Sequence, residues 1–358
     1  MPAPADRPQL AEMLGIQTPI VLGPFGGMSS IALTAAVSNV GGLGSYGLYG
    51  YDGERIVETA SLIRAATDRP FALNLWMPTG TEVVPGQVDT TAALRTAAPL
   101  YDALGIPIPA GTPERYLVDV GEQLEAVLDA RPAVLSVIFG MPDPDTMERL
   151  RARDIRVIAG ATTVAEARAV AAAGADAVVA SGAEAGGHRI SFLRPAEESL
   201  VGTVALVPQV VDAVDIPVIA AGGIADRRGV AAASALGAAG VQVGTAFLRT
   251  PESAASAAHR AALSRIAAED TVLTRAATGR WARGIRNRLL ETVDAGEIAP
   301  FPAQSWVVGA LRSEANRRGE GDLQSLWSGQ AAPLASDVSA ADLFAELAAG
   351  LPEENPHR

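Results

Sequence analysis

Short apolar segments alternate with longer Ala-rich segments along most of this chain, and this alternation restricts the fold more than any other feature. Eight segments are predicted as strands: Pro19–Leu22, Gly42–Tyr46, Phe71–Leu75, Val134–Phe139, Arg156–Ala159, Ala177–Ala180, Val218–Ala221 and Val241–Val243. Helices are predicted between these strands and after the last one: Ile31–Asn39, Gly53–Ala66, Pro113–Ala130, Pro144–Ala152, Val164–Ala173, Pro208–Ala213, Arg227–Leu236 and Pro251–Ala268. Apolar runs without polar alternation are typical of parallel strands that are buried on both faces and joined by crossover helices. Eight strand–helix units therefore predict an α/β fold, a closed (β/α)8 TIM barrel.

Three segments do not follow this repeat. Pro78–Thr112 is an insertion after the third strand, Gly182–Val207 is a long loop after the sixth, and a tail of scattered polar and apolar residues begins after about Ala268. Two helices are predicted within that tail, at Val308–Arg318 and Ala340–Ala349. Because the loops that follow barrel strands build the active site, we expect these segments to cover the carboxyl ends of the strands. We predict a barrel domain over residues 1–268, with the insertion at 78–112, and a C-terminal cap over residues 269–358.

The composition excludes several kinds of chemistry. The chain has no Cys, and its 28 basic residues are all Arg. It therefore has no thiolate nucleophile, no cysteine metal ligand, no lysine for a Schiff base and no P-loop lysine. A multi-histidine metal centre would need all 3 His of the chain, so we predict no metal site.

The charge and the apolar segments bear on partners and location. A net charge of −12 argues against binding to nucleic acid or to an anionic membrane surface. Met13–Tyr51 and Gly229–Leu248 lack charged residues, but Gly and polar residues interrupt both, and we interpret them as buried strands and helices rather than membrane spans. Met1–Leu10 has no apolar signal-peptide region. We expect a cytoplasmic protein that binds a small molecule, and the sequence leaves a homodimer open.

Glycine-rich turns follow three of the predicted strands. They are Gly23-Pro24-Phe25-Gly26-Gly27-Met28 after the first, Ala221-Gly222-Gly223-Ile224-Ala225-Asp226 after the seventh, and Val243-Gly244-Thr245-Ala246 after the eighth. Glycine lets backbone N–H groups approach a ligand closely, and the loops after strands seven and eight commonly bind phosphate in this barrel class. The last two turns therefore predict a phosphate site; the alternative is that their glycines only form tight turns.

The best candidate for acid–base chemistry is His188, in the segment Ser181–Arg189 that follows the sixth strand. An imidazole titrates near neutral pH, so His188 at the rim of a barrel is a candidate general base, with a structural histidine as the alternative. Glu184 is a candidate second acid–base group, although a structural pairing with an Arg is the simpler interpretation. His259 is expected on a helix surface and His357 in the tail, and neither has a predicted role.

Two polar side chains interrupt otherwise apolar strands. Asn74 lies at the end of the third strand, and Gln242 lies between valines on the last one. Because a buried polar side chain needs a partner, each is predicted to contact either a ligand or the barrel backbone.

These segments together resemble the nitronate monooxygenase family, formerly called 2-nitropropane dioxygenases, whose members are FMN-dependent TIM-barrel enzymes. The resemblance extends from Pro19 to about Thr250, with weaker similarity as far as Gln330. The segments that carry it are Pro19-Ile20-Val21-Leu22-Gly23-Pro24-Phe25-Gly26-Gly27, Gly41-Gly42-Leu43-Gly44, Asn74, Glu184-Ala185-Gly186-Gly187-His188, Ala221-Gly222-Gly223-Ile224-Ala225 and Gln242-Val243-Gly244-Thr245-Ala246-Phe247. It implies that the barrel domain binds FMN and that O2 oxidises an alkyl nitronate or nitroalkane to a carbonyl compound and nitrite.

The resemblance also implies a role for each site residue. His188 matches the family's catalytic histidine and would remove the α-proton of a neutral nitroalkane. Gly23, Pro24 and Phe25 would lie against the isoalloxazine ring of FMN. Asn74 and Ser181 would bond the flavin ring or the ribityl chain. The cradle for the phosphate and ribityl groups would consist of Gly186, Gly222, Gly223, Gln242, Gly244 and Thr245.

The chain departs from the family at positions that bear on the substrate. Phe25 stands where many members have Met, Trp281 stands where Pro is usual, and Phe301 lies near a position often occupied by Tyr. Because the chain has no Lys, any substrate-binding lysine of its relatives is missing. Arg280 or Arg283 is the predicted replacement for binding an anionic substrate.

Two other functions stay open on the sequence. The first is an FMN-dependent NAD(P)H reductase of the enoyl-thioester type on the same fold, although the chain shows no nicotinamide fingerprint after the first strand. The second is a flavin-free barrel that binds a sugar phosphate as an isomerase or lyase, which would be colourless even after FMN is offered.

Overall fold

The computed structural model describes residues 9–352, and its central feature is a closed barrel of parallel strands. The strands in this range are β1 (Ile20–Leu22), β2 (Gly44–Gly47), β3 (Phe71–Trp76), β4 (Val134–Ile138), β5 (Arg156–Ala161), β6 (Ala177–Ser181), β7 (Gly187–His188), β8 (Val218–Ala221), β9 (Gly240–Val243), β10 (Thr271–Thr274) and β11 (Ala282–Ile285). Eight of them form one sheet in the order β1-β9-β8-β6-β5-β4-β3-β2. A parallel bridge between Val21 and Leu43 closes this sheet, and the N–H of Leu22 donates to the oxygen of Leu43 at 2.9 Å. The predicted (β/α)8 barrel is confirmed.

Helices surround the barrel and cover both of its ends. They are α1 (Leu10–Leu14), α2 (Ile31–Asn39), α3 (Gly53–Ala66), α4 (Thr91–Leu104), α5 (Val120–Ala130), α6 (Pro144–Arg151), α7 (Val164–Ala172), α8 (Thr203–Ala213), α9 (Arg227–Ala235), α10 (Thr245–Leu248), α11 (Ala257–Leu263), α12 (Arg288–Asp294), α13 (Ala303–Val307), α14 (Gly309–Arg318) and α15 (Ala340–Ala348). Several begin at a side-chain cap; the oxygens of Ser30, Asp52 and Thr163 each accept the N–H three residues later. The caps fix where crossover helices start, and hence the length of each loop at the barrel rim.

Three predicted helix boundaries were wrong. α5 begins at Val120 and not at Pro113, because Asp119 caps it through the N–H of Glu122 at 3.0 Å. α8 begins at Thr203 and contains Pro208 in its interior. The predicted helix Pro251–Ala268 is helical only over α11, which starts after the cap residue Ser256.

The insertion after β3 contains a helix that was not predicted from the sequence, since Pro99 lies inside it. This helix, α4, packs with α12, α13 and α14 of the tail around a second apolar core that is separate from the barrel core. The buried hydroxyl of Tyr101 donates to the oxygen of Val307 at 2.8 Å and joins the two segments. The insertion and the tail therefore form one packed unit. The predicted division of the chain at residue 268 stays a prediction.

A small antiparallel sheet lies over the carboxyl end of the barrel. β11 pairs with β10 on one side and with β7 on the other, and Ala282 is the partner of His188. Since β7 belongs to the long loop after β6, this pairing fixes the tail directly beside that loop.

The amino end of the barrel is closed by apolar side chains. Leu10 and Leu14 of α1 are buried in one cluster with Val21, Leu43 and Ile158. No helix within residues 9–352 is both long enough and apolar enough to cross a membrane.

Candidate functional site

One cavity opens at the carboxyl ends of the barrel strands, and the predicted catalytic and FMN-binding residues all lie in its wall. These residues are Gly23, Pro24, Phe25, Asn74, Ser181, Gly186, His188, Gly222, Gly223, Gln242, Gly244 and Thr245. They come from loops or strand ends distributed around the barrel and meet because parallel strands end at one rim. Their roles stay predictions, but the fold brings all of them together.

The turn after β1 forms one side of the cavity and is held in place by a serine. The hydroxyl of Ser29 accepts the N–H of Phe25 at 3.2 Å and the N–H of Gly47 at 3.0 Å. A Cβ on Gly47 would lie 2.8 Å from the backbone of Phe25, so β2 has to carry glycine there. The ring of Phe25 reaches the turn after β9, 3.6 Å from a Cβ built on Gly244.

The turns after β6 and β8 form a glycine-lined concavity farther round the rim, where β9 alone separates β1 from β8. Gly222 and Gly223 have φ values of 102° and 73°, a region that side chains rarely adopt. A Cβ on Gly186 would lie 2.5 Å from the nitrogen of Gly329, so this glycine allows the tail to approach closely. Within the described range, the backbone N–H groups of Gly223 and Gly244 have no acceptor. Such unpaired donors at the rim suit an anion.

Two side chains stabilise this concavity. The hydroxyl of Thr245 accepts the N–H of Gly329 at 2.9 Å. The carboxylate of Glu184 accepts the N–H of Thr203 at 3.0 Å and its hydroxyl at 2.9 Å. Glu184 therefore has the structural role that the sequence favoured. It caps α8 and forms no ion pair within residues 9–352, but its charge partly offsets the lowering of the pKa of Arg283 and of Arg189.

Polar side chains are few on the cavity floor. The amide nitrogen of Asn74 donates to the backbone oxygen and to the hydroxyl of Ser136, both at 3.2 Å. The side chains of Ser181 and Gln242 have no hydrogen-bond partner in the part of the chain that the structure describes. Because these two groups border the cavity, they are available to a bound molecule.

His188 lies in the wall near the mouth, between two tryptophan rings. Its ring centroid is 4.6 Å from that of Trp76 and 5.3 Å from that of Trp327. Its Nε2 atom is 2.9 Å from the hydroxyl oxygen of Thr278. The pKa of His188 is lowered to about 3, because burial disfavours the imidazolium and the charges of Arg280 and Arg312 repel it. The imidazole is therefore neutral at pH 7.

The two arginines predicted to bind an anionic substrate lie elsewhere. Arg280 forms an ion pair with Glu82, and its guanidinium lies 4.2 Å and 3.9 Å from the ring centroids of Phe139 and Phe301. Arg283 donates to the backbone oxygen of Ala183 at 3.0 Å and to the hydroxyl of Thr271. Neither borders the cavity. That prediction was wrong, because both guanidinium groups have structural partners.

His259 also differs from its expected place. Its side chain is 2% exposed, and its Nε2 atom is 2.9 Å from the backbone oxygen of Trp327. Burial lowers its pKa to about 4. His259 is thus an internal residue below a wall of the cavity and not a surface residue. His357 lies outside the described residues.

Several cavity residues were not found from the sequence. They are Met28, Tyr49, Trp76, Thr278, Arg312 and Trp327. Trp76 ends β3 two residues after Asn74, so its position at a strand end was a usable signal. Thr278, Arg312 and Trp327 come from the tail, where nothing periodic indicates which side chains face the barrel. No cluster of His, Cys, Asp and Glu within residues 9–352 could hold a metal ion.

Comparison with protein families and curated sequences gives a consistent result. The family model described as nitronate monooxygenase matches residues 7–350. A nitronate monooxygenase of Pseudomonas aeruginosa is 42% identical over 347 residues, which are 95% of this chain and 97% of that protein. A probable nitronate monooxygenase of Staphylococcus saprophyticus is 38% identical over 334 residues, which are 92% of this chain and 93% of that protein.

Two solved structures resemble this chain over nearly its whole length. The nitroalkane oxidase from Streptomyces ansochromogenes superposes with a TM-score of 0.85 at 36% identity, covering 95% of this chain and 97% of that one. FabK from Thermotoga maritima superposes with a TM-score of 0.71 at 27% identity, covering 95% and 94% of the two chains.

Proposed function

The chain belongs to the nitronate monooxygenase family, and from that membership we propose that it binds FMN and oxidises alkyl nitronates or nitroalkanes with O2. The products are a carbonyl compound and nitrite. The observation that carries the proposal is the convergence of the predicted catalytic and FMN-binding residues, from His188 to the glycine turns after β8 and β9, on one cavity.

The residues of this cavity fit FMN. Phe25, Trp76 and the small residues of the barrel floor give apolar walls for a flat ring. Ser181 and Gln242 offer hydrogen-bonding groups without protein partners in the described chain. The concavity of Gly222, Gly223 and Gly186 supplies backbone donors for the phosphate, and a Cβ at these positions would meet strain or backbone atoms. A flavin bound here supplies the electron acceptor and the reductant of O2.

His188 is the residue proposed to handle the substrate proton. A neutral nitroalkane has to lose its α-proton before it becomes a nitronate, and a neutral imidazole has a lone pair that can accept it. The imidazolium that forms is disfavoured by burial and by the charges of Arg280 and Arg312, and a negative charge beside it would stabilise it. The anion left by proton removal provides that charge. Nitronates that are already ionised need no such step.

The surroundings of His188 shield part of the side chain from water and fix the ring. Trp76 and Trp327 flank the imidazole, and the strand pairing of β7 with β11 holds its backbone. The hydroxyl of Thr278 engages Nε2, which leaves Nδ1 as the other ring nitrogen for proton transfer.

Anaerobic mixing tests the proposed function. We expect the purified protein to be yellow and its visible absorbance to bleach with ethylnitronate but not with NADH or NADPH. After air is admitted, nitrite and acetaldehyde should accumulate. Bleaching by a nicotinamide and not by the nitronate would contradict the proposal.

A second function is favoured by the likeness to FabK from Thermotoga maritima, which has a lower TM-score than the nitroalkane oxidase. It is the NAD(P)H-dependent reduction of an enoyl thioester with the same cofactor. The nicotinamide arm of the mixing experiment separates this alternative from nitronate oxidation.

A further inference from the structure

We propose that Arg312 is the anion receptor of this site, binding the negatively charged oxygens of the nitronate through its guanidinium group. The proposal deepens the proposed function, because it assigns the substrate's charge to a residue that neither the sequence nor the family comparison indicated.

Arg312 occupies a junction between two cavities. It lies on α14 and borders the main cavity together with His188, Thr278 and Trp327. It also borders a neighbouring cavity whose other polar lining residues are Ser256, His259, Ser305, Ser313, Asn316, Gln324 and Ser325. That second cavity has no carboxylate in its wall. An anion in that second cavity can reach this guanidinium without meeting a negative side chain. The main cavity has one carboxylate in its wall, that of Glu184, which accepts the N–H and the hydroxyl of Thr203.

The hydrogen-bonding capacity of Arg312 is largely unused. Its Nη1 atom donates to the backbone oxygen of Ala277 at 3.0 Å. Its Nε atom is buried and has no partner. A guanidinium has five N–H donors, so most of those of Arg312 remain for a ligand.

No counter-ion for Arg312 occurs among residues 9–352. The nearby Arg280, which does not border the cavity, is paired with Glu82, whereas Arg312 takes part in no ion pair within the described range. The titratable groups near it carry no negative charge at pH 7: His188 is neutral, and burial raises the pKa of Tyr49. Burying a charge without a partner is costly. A negatively charged substrate would compensate this charge.

The chemistry of the guanidinium matches that of a nitronate. Its planar N–H pairs bind two oxygens of one planar anion side by side, as they do with carboxylates. The nitronate group presents two such oxygens and one negative charge. Because Arg312 and His188 line the same cavity, a nitroalkane held by Arg312 would form its anion beside a fixed positive charge, which favours deprotonation.

Nitrate is a suitable probe, because it is a planar oxyanion that cannot donate electrons as a nitronate does. We would titrate nitrate into the flavin-loaded enzyme by calorimetry, using the wild type, Arg312→Gln and Arg312→Lys. The matched control is Arg317→Gln. Arg317 lies on the same helix as Arg312, but its side chain is exposed and is paired with Glu314. We expect Arg312→Gln to weaken nitrate binding roughly 10- to 100-fold, as for loss of a charge-assisted hydrogen bond. The nitrate affinity of Arg312→Lys should lie between those of the wild type and Arg312→Gln, and the affinity of Arg317→Gln should match that of the wild type.

Three results would overturn the inference. They are a wild-type enzyme that does not bind nitrate, an Arg312→Gln variant that binds it equally well, and an Arg312→Gln variant that folds but loses its flavin, which would assign the residue to the cofactor. Should Arg312→Gln fail to fold, Arg312→Lys decides: unchanged nitrate affinity contradicts the two-oxygen geometry.

Turnover assays distinguish failure of this inference from failure of the proposed function. Nitrate binding that depends on Arg312 in an enzyme without nitronate turnover would refute only the proposed function.

Discussion

The Nε2 atom of His188 and the Oγ1 atom of Thr278 are 2.9 Å apart, although the residues are separated by 90 positions in the chain. Thr278 is 4% exposed, and its hydroxyl also accepts the N–H of Arg280 at 3.3 Å. The contact joins the loop after β6 to the tail and sets the orientation of the imidazole. Thr278 is thus a positioning residue for the proposed base.

Replacing Thr278 by valine should remove this contact while keeping the shape of the side chain. We expect turnover of a neutral nitroalkane to fall about 5- to 10-fold, the effect of one ordinary hydrogen bond. Turnover of a pre-ionised nitronate should change little. The variant Thr278→Ser keeps the hydroxyl and should retain most of the wild-type turnover of the neutral nitroalkane. An equal loss on both substrates, measured as kcat/KM across pH, would indicate a general structural defect instead.

His188→Ala tests the base itself. We expect the variant to retain its flavin and to lose neutral-nitroalkane turnover by ~10²–10⁴-fold, the usual contribution of a general base. Pre-formed nitronates should be affected less, since their proton is already gone. The measurement is initial rates on both substrate forms at matched flavin content. Similar losses for the two forms would assign His188 to binding or orientation.

The buried histidines should make folding stability depend on pH. His259 has a folded-state pKa of about 4, below its ordinary value of 6.5, so the unfolded chain binds a proton that the folded chain does not. The contribution of His259 to the free energy of unfolding is therefore fully present above pH 6.5 and is lost as the pH falls towards 4. The lowered pKa of His259 corresponds to a loss of about 3 kcal/mol from the free energy of unfolding at pH 4, relative to neutral pH.

Urea unfolding between pH 7 and pH 4 measures this effect. His259→Gln keeps a donor for the oxygen of Trp327 but does not titrate, so its stability should fall less steeply over this interval than that of the wild type. The pKa of His188, lowered to about 3, adds a loss of the same sign. A wild-type stability that is flat from pH 7 to pH 4 would contradict the assignment of both side chains as neutral in the folded protein.

The glycine concavity can be tested at Gly186. A Cβ there would lie 2.5 Å from the nitrogen of Gly329 and 2.6 Å from the carbon of Ser328, both backbone atoms that cannot move alone. We expect Gly186→Ala to weaken FMN binding roughly 10- to 100-fold by displacing this segment. The dissociation constant can be measured by flavin fluorescence. Gly309→Ala, where a Cβ meets nothing within 4 Å, is the control and should bind FMN as the wild type does.

The sequence by itself determined the barrel fold and many of the residues that lie at the carboxyl ends of its strands. Each buried strand carries its own signal in a short apolar run, and the parallel arrangement then brings all the strand ends together. For that reason Gly23, Asn74, His188, Gly222 and Gly244 could be placed in one site without any knowledge of the packing.

Tertiary structure alone decided what lies opposite these residues. Thr278, Arg312 and Trp327 belong to the tail, and their place in the cavity depends on the pairing of β7 with β11 and on the packing of α4 against α14. The same packing gave Arg280 its partner Glu82 and buried His259, which reversed two expectations from the sequence. Contacts between distant segments have no local periodicity, because they depend on how two already formed surfaces fit each other and not on the order of residues within either one.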